Sequence, residues 1–304
     1  MSVLSRETIY ELIKQKQVSP VFIGIPSKNM DETTQKLLRE IRPIGIIFFS
    51  RNIQSLQQWK GLVRELKTFA QKELGYRLLF AIDHEGGKVR RVFFEPDLPD
   101  PQQQVQREDL EELSFNVGKE LCSIGIDLNF APVVDIATKE TPIFYRSRCY
   151  GEDKQTVLDT AEQFITGMEK AGIQTCLKHF PTLATAKDDT HFHKVACHMP
   201  TSLWHDQKMV YKTLLKKYYL PVMVSHAKYP ELDSENIASQ SKTIIKEAKS
   251  LGSTVVLSDD LDMKAAGDPK QAVEKSLNAG CDLVLVCNHP EVLLGKNLTF
   301  FPKK

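Results

Sequence analysis

The segment Leu78-Leu-Phe-Ala-Ile-Asp83 is an apolar run that ends on a carboxylate, and His84-Glu85-Gly86-Gly87 follows at once. A continuous apolar run, without polar alternation, suits a strand of a parallel sheet covered on both faces. The paired glycines allow the positive φ of a tight turn and the close approach of a ligand. Working outward, runs of the same character recur at Val21–Ile25, Gly45–Phe49, Asp127–Asp135, Gln174–Phe180, Pro221–His226, Thr254–Asp260 and Asp282–Cys287. Helix-like stretches separate them at Met30–Ile41, Leu56–Leu74, Leu110–Ile124, Lys154–Ala171 and Ala272–Ala279. Eight strands alternating with helices predict a (β/α)8 TIM-type barrel, folded as a single domain over residues 1–304. A doubly wound open sheet is the alternative, because periodicity alone does not close a sheet. No linker, repeat or low-complexity tract marks a second domain. The stretch after Cys287 is short, so a small or incomplete last helix is expected.

The chain has 304 residues, and a barrel of about 250 residues folds as one unit. Forty Lys and Arg against 39 Asp and Glu leave a net charge of +1, which argues against a nucleic-acid or anionic-membrane surface as the main partner. No apolar run approaches the roughly 18 residues of a membrane helix. The opening MSVLSRETIYELIKQKQ carries charges where a signal peptide needs an apolar stretch, so it reads as an amphipathic helix of a cytoplasmic protein. Six cysteines without a C-x-x-C pair read as buried reduced thiols rather than a disulfide framework.

Polar residues gather just after the strands: Asp83, Lys178 with His179, His226, and Asp259 with Asp260. In barrels and open α/β sheets alike, chemistry sits beyond the carboxyl ends of the strands. Any one of these residues is explained as a helix cap or a turn; the set points to a site. Arg91 offers a donor fork that can reach back towards Asp83. Pro132 cannot donate to a ladder, so irregularity is expected within Asp127–Asp135. Arg148 lies before a helix that Asp153 is placed to cap. In Asp189-Thr190-His191, alternate residues of an extended segment face the same way, so Asp189 can orient His191 and favour its protonated form, as a general acid requires. In Ser258-Asp259-Asp260-Leu261-Asp262 at least one carboxylate should face the barrel mouth. Asp259 is placed as nucleophile or electrostatic anchor, and Asp260 or Asp262 as cap of the next helix.

Taken together in order, these motifs resemble glycoside hydrolase family 3, in particular the single-domain bacterial β-N-acetylhexosaminidases. The matches are F-F-S-R-N at Phe48–Asn52, A-I-D-H-E-G-G-K-V at Ala81–Val89, L-N-F-A-P-V-V-D at Leu128–Asp135, K-H-F-P at Lys178–Pro181, D-T-H at Asp189–His191, S-D-D-L-D-M at Ser258–Met263 and N-A-G-C-D-L-V-L-V-C at Asn278–Cys287. The resemblance implies a retaining β-N-acetylglucosaminidase that removes terminal N-acetylglucosamine from peptidoglycan fragments, without metal or organic cofactor. Its partner is then an N-acetylglucosamine-containing muropeptide or oligosaccharide, with no nucleic acid and no membrane. By position, Asp259 matches the nucleophile, His191 the acid/base and Asp189 its dyad partner, while Asp83, Arg91, Arg148, Lys178 and His179 match the residues that hold the sugar. The chain departs from the family at Thr182-Leu183-Ala184, where the pattern has Gly-His-Gly, and at Asp262, where it has Ser. The first departure motivates an alternative: a sugar-binding barrel impaired in turnover. A β-glucosidase is a further alternative. So is a metal-dependent barrel hydrolase, using ligands such as His191, His193, His179, His198 and Cys197.

Overall fold

The computed structural model describes residues 4–188, 195–296 and 298. Its main sheet is parallel throughout and takes in all eight expected runs: Ser19–Gly24, Pro43–Phe48, Leu79–Ile82, Leu128–Asn129, Gln174–Thr175 continuing as Leu177–Phe180, Val222–Val224, Val256–Asp260 and Leu283–Val286. The first and last of these pair with each other, Val21 opposite Val284. The two pieces of the fifth run pair at opposite ends of the sheet, one with Leu128–Asn129 and the other with Val222–Val224. They are joined by Cys176, whose N–H donates to Ala131 (3.0 Å), while Leu177 N–H turns to Pro221 (3.1 Å). The sheet therefore curls into a barrel of the TIM type, and the open-sheet alternative falls.

The physical basis is the one the composition implies. Every residue of Ser19–Gly24, Pro43–Phe48 and Leu283–Val286 is buried, as a strand covered on both faces must be. Phe48 stacks on Phe80 at 5.7 Å and meets Trp59 edge-on at 5.6 Å, locking the second and third strands to the helix between them. The fourth ladder is only Leu128–Asn129 long, because Pro132 has no N–H to give. Beyond it the chain stays bonded irregularly, through Phe130 N–H to Ile82 and Cys176 N–H to Ala131, up to the bridge of Val133 with Lys178.

Helices Arg6–Lys16, Glu32–Ile41, Leu56–Phe69, Leu110–Ile124, Lys154–Lys170 and Pro269–Ala279 agree with the sequence reading, and Asp153 caps its helix through Thr156 N–H at 2.8 Å. Thr201–Lys217 and Lys242–Ser250 complete the alternation. After the eighth strand the described residues hold a 3-10 turn, Pro290–Leu293. No helix among the described residues is long and apolar enough to cross a membrane. All six cysteines are free; Cys122 is exposed and the other five are buried.

Candidate active site

A cavity of about 320 Å3 opens at the carboxyl ends of the strands. Its lining includes Asp83, Arg91, Arg148, Lys178, His179 and Asp259. Six of the eight residues singled out from sequence thus meet in one place. The other two, Asp189 and His191, lie outside the described residues.

Asp83 follows the third strand directly. The turn after it needs its glycines: Gly86 has φ 98° and Gly87 φ 55°, and a Cβ on Gly86 would run into the carbonyl oxygen of Pro99. Asp83 accepts from Arg91 Nη2 and from Lys178 Nζ, each at 2.9 Å. Two residues on, Glu85 accepts from Arg148 Nε (2.9 Å) and Nη2 (2.7 Å), and pairs with Lys178 Nζ at 2.6 Å. Lys178 is thereby clamped between two carboxylates at the end of the fifth strand. Burial pushes the Asp83 carboxyl up, but Lys178 and Arg91 overcome this and hold it well below the usual carboxylate range. Glu85 follows the same logic: burial raises it, Arg148 and Lys178 more than reverse that, and it sits at about 2. Burial lowers Lys178, and Asp83 and Glu85 outweigh it in the other direction. The result is a fixed, charge-balanced lattice of donors and acceptors. Such a lattice suits a ligand that offers both hydroxyl donors and hydroxyl acceptors.

A second buried carboxylate, Asp135, organises the neighbouring wall. It accepts from the Tyr145 hydroxyl, from His179 N–H (3.2 Å) and from Leu183 N–H (3.2 Å). Thr182, Leu183 and Ala184 are all buried. They are pinned further by Tyr229, whose hydroxyl donates to Thr182 O (2.6 Å), and by Thr141, whose hydroxyl donates to Ala184 O (2.7 Å).

Asp259 and Asp260 end the seventh strand. Asp259 borders the cavity and accepts Asp260 N–H at 2.8 Å. Asp260 turns to the eighth strand, accepting from Cys287 N–H (3.0 Å) and Asp262 N–H (3.1 Å). Asp262 accepts from Asn288 N–H (2.6 Å) and His289 N–H (3.0 Å). Neither carboxylate caps the next helix, contrary to the expectation from sequence; Asp268 does, through Lys270 N–H at 2.9 Å. His226, also expected at the site, spends Nε2 on the backbone oxygen of Asp260 at 2.9 Å and Nδ1 on Ser239 at 2.7 Å, so it props the strand end from behind.

A domain profile, described as the glycosyl hydrolase family 3 N-terminal domain, matches residues 5–299. The chain belongs to glycosyl hydrolase family 3. A beta-hexosaminidase of Thioalkalivibrio sulfidiphilus is 32% identical over 291 residues, which are 90% of this chain and 82% of that protein. Among solved structures, NagZ from Neisseria gonorrhoeae in complex with N-trifluoroacetyl-D-glucosamine superposes with a TM-score of 0.80 at 28% identity, covering 93% of this chain and 88% of that one. A family 3 beta-N-acetylglucosaminidase from Paenibacillus sp. gives 0.85 at 26% identity, covering 92% of this chain but 56% of that longer one. Family membership makes the protein a glycoside hydrolase.

Sequence reasoning passed over Glu85, Asp135 and Tyr145 as site residues of this family 3 barrel. A usable signal existed for Glu85: it stands two residues after Asp83, just past the same strand end. Asp135 carried the strand-end signal as well, since it closes the run Asp127–Asp135; none existed for Tyr145, whose partners are fixed only on folding. Among the described residues no group of three or more His, Cys, Asp or Glu is arranged to hold a metal ion. His191 and His193 of the metal reading lie outside those residues.

Asp262, the second departure from the family pattern, makes a measurable prediction. Burial, then Asp262, then Asp259 push the Asp260 carboxyl up to about 7 from an ordinary 3.8. The folded protein therefore holds a proton there that the unfolded chain has already lost. Stability drawn from Asp260 falls as pH rises from 3.8 towards about 7. Asp262→Ser removes the nearest like charge, so the drop in melting temperature between about pH 5 and about pH 8 should be smaller than in the parent protein. Parallel pH dependences in the two proteins would contradict the coupling.

Proposed function

We propose that the protein is a retaining β-N-acetylglucosaminidase that removes terminal N-acetylglucosamine from peptidoglycan fragments in the cytoplasm, as one catalytic barrel and without metal or cofactor. Asp259 attacks the anomeric carbon while His191, oriented by Asp189, protonates the leaving oxygen. Water then resolves the glycosyl-enzyme with His191 acting as base. Asp83, Arg91, Arg148, Lys178 and His179 hold the sugar. The observation that carries this reading is that Asp259 and the ion-paired cradle of Asp83, Glu85, Arg148 and Lys178 border one cavity in a family 3 chain. The names of the relatives supply the choice of sugar.

The test is hydrolysis by the purified protein of nitrophenyl N-acetylglucosaminide beside nitrophenyl glucoside, with binding of N-acetylglucosamine measured in parallel. Release from the first and little from the second is expected. Binding without release would instead support the non-hydrolytic barrel that Thr182-Leu183-Ala184 motivates, and preference for the glucoside would make the protein a β-glucosidase.

The acid/base role makes its own prediction. An aryl leaving group needs little protonation, whereas a sugar alcohol needs it in full. His191→Ala should therefore slow the first step by about 10²-fold or more on a natural disaccharide and by much less on the nitrophenyl substrate. Single-turnover rates are the proper comparison, because the second step limits both substrates once the base is gone. Equal losses on the two substrates would remove His191 from the acid role.

A further inference from the structure

We infer that Asp135 and Tyr145 are positioning residues that fix which nitrogen of His179 carries the hydrogen, so that its Nε2 meets the sugar as a hydrogen-bond acceptor. The inference rests on the reading of the cavity as a sugar site. His179 is buried at the end of the fifth strand and borders the cavity. Its two ring nitrogens face opposite chemistries. Nε2 lies 3.5 Å from Arg148 Nη2, a group that can only donate. A hydrogen on Nε2 would set two donors against each other, so that nitrogen presents its lone pair; at 3.5 Å Arg148 is at the outer limit of a hydrogen bond, and the lone pair stays available to a closer donor.

Nδ1 lies 2.8 Å from the Tyr145 hydroxyl and 3.4 Å from Asp135 Oδ2. The Tyr145 hydroxyl has one hydrogen, and it goes to Asp135 Oδ2, an acceptor with nothing to give. The hydroxyl oxygen is then left to accept, and Nδ1–H is the donor available to it. Asp135 also accepts the backbone N–H groups of His179 and Leu183, so one carboxylate fixes the ring, its backbone and the chain leading into the next loop. Arg148 is itself locked on Glu85 by two bonds, so the group that selects the lone pair on Nε2 cannot turn away. The consequence for recognition is that His179 selects a sugar hydroxyl that donates, while Arg148 and Lys178 select oxygens that accept.

The test is 15N NMR of protein labelled at histidine, with the His179 signals among the eight histidines assigned by loss in His179→Gln. The parent protein should show the one-bond hydrogen coupling on Nδ1 and a bare Nε2 whose signal moves on titration with N-acetylglucosamine. Asp135→Asn places an amide donor in the cluster. It should shift the ring towards the Nε2–H form and raise KM by about tenfold or more with a smaller change in kcat. Tyr145→Phe removes the 2.8 Å partner of Nδ1 and leaves Asp135 Oδ2 at 3.4 Å; it should keep the tautomer, loosen the ring and raise KM by less than Asp135→Asn, a second reading should the Asp135 variant fail to fold. Hydrogen found on Nε2 in the parent protein, or an unchanged tautomer with unchanged KM in the variants, overturns the inference. A bare Nε2 that ignores N-acetylglucosamine overturns the sugar reading of the cavity and leaves the tautomer assignment standing.

Discussion

Asp259→Asn is expected to reduce turnover on the order of 10⁴-fold or more while leaving the fold and sugar affinity close to those of the parent protein. The amide keeps the shape of the carboxylate but has neither its charge nor a competent nucleophilic oxygen. Structural damage should be small: Asp259 borders the cavity, and the hydrogen bond it accepts from Asp260 N–H can be kept by the amide oxygen. Asp260 is the control. Its Oδ1 takes the backbone N–H groups of residues 262 and 287 and its Oδ2 the Asn288 side-chain amide, so Asp260→Asn should cost far less turnover than Asp259→Asn. Near-parental hydrolysis by the Asp259 variant would move the nucleophile elsewhere, with Asp260 the first place to look.

The largest effect on stability is expected at Glu85. This carboxylate is 3% exposed and neutralises two cations, Arg148 and Lys178, that are themselves largely withdrawn from water. Taking one partner out of a buried ionic group leaves the others uncompensated, a loss of about 3–5 kcal/mol. Glu85→Gln preserves volume, so a fall of that size in urea unfolding measures lost charge compensation rather than a cavity. Lys178 keeps Asp83 as a partner, whereas Arg148 loses both of its short bonds to a charged group; sugar affinity should therefore fall as well. The sign of the pH dependence follows from the depressed titration of Glu85. Its stabilisation is fully present above the ordinary 4.5 and is lost as pH falls towards about 2. The gap between parent and variant should close over that interval. A gap of under about 1 kcal/mol at neutral pH would make the Glu85 pairs no more important than surface ion pairs.

Much of this architecture is legible in the chain because its strands are covered on both faces. Val21–Ile25, Gly45–Phe49 and Asp282–Cys287 after its opening Asp are apolar without interruption, and each corresponds to a strand of the barrel. The strand-end rule then brings Asp83, Lys178, His179 and Asp259 to one mouth without any knowledge of their partners. Helix Thr201–Lys217 escaped because seven of its residues are Thr, Ser or Lys; its buried stripe, Gln207, Val210, Tyr211 and Leu214, has the right spacing but begins on a polar residue. Lys242–Ser250 is short, and its stripe is only Ile244, Ile245 and Ala248. The hairpin of Lys228–Tyr229 with Asp233–Ile237 has a largely polar second strand and gives no periodic signal. The ionic lattice is hidden for a different reason. Glu85 and Arg148 are 63 positions apart, and nothing in either neighbourhood names the other. The replacement of Gly-His-Gly by Thr182-Leu183-Ala184 reads as a loss of freedom in sequence. In the fold these three residues are buried and tied to Asp135, Tyr229 and Thr141, where side chains have packing to gain.

The central claim is a covalent sugar on Asp259. A C5-fluorinated N-acetylglucosaminyl fluoride tests it most directly, because the ring fluorine slows both steps through an oxocarbenium-like transition state while the fluoride leaving group keeps the first step the faster one. The account predicts a gain of one sugar in the intact mass, located by peptide fragmentation on Asp259 within the segment between Lys249 and Lys264. An adduct on Asp83 or Asp260, or hydrolysis with inversion at the anomeric carbon and no adduct at all, would contradict it.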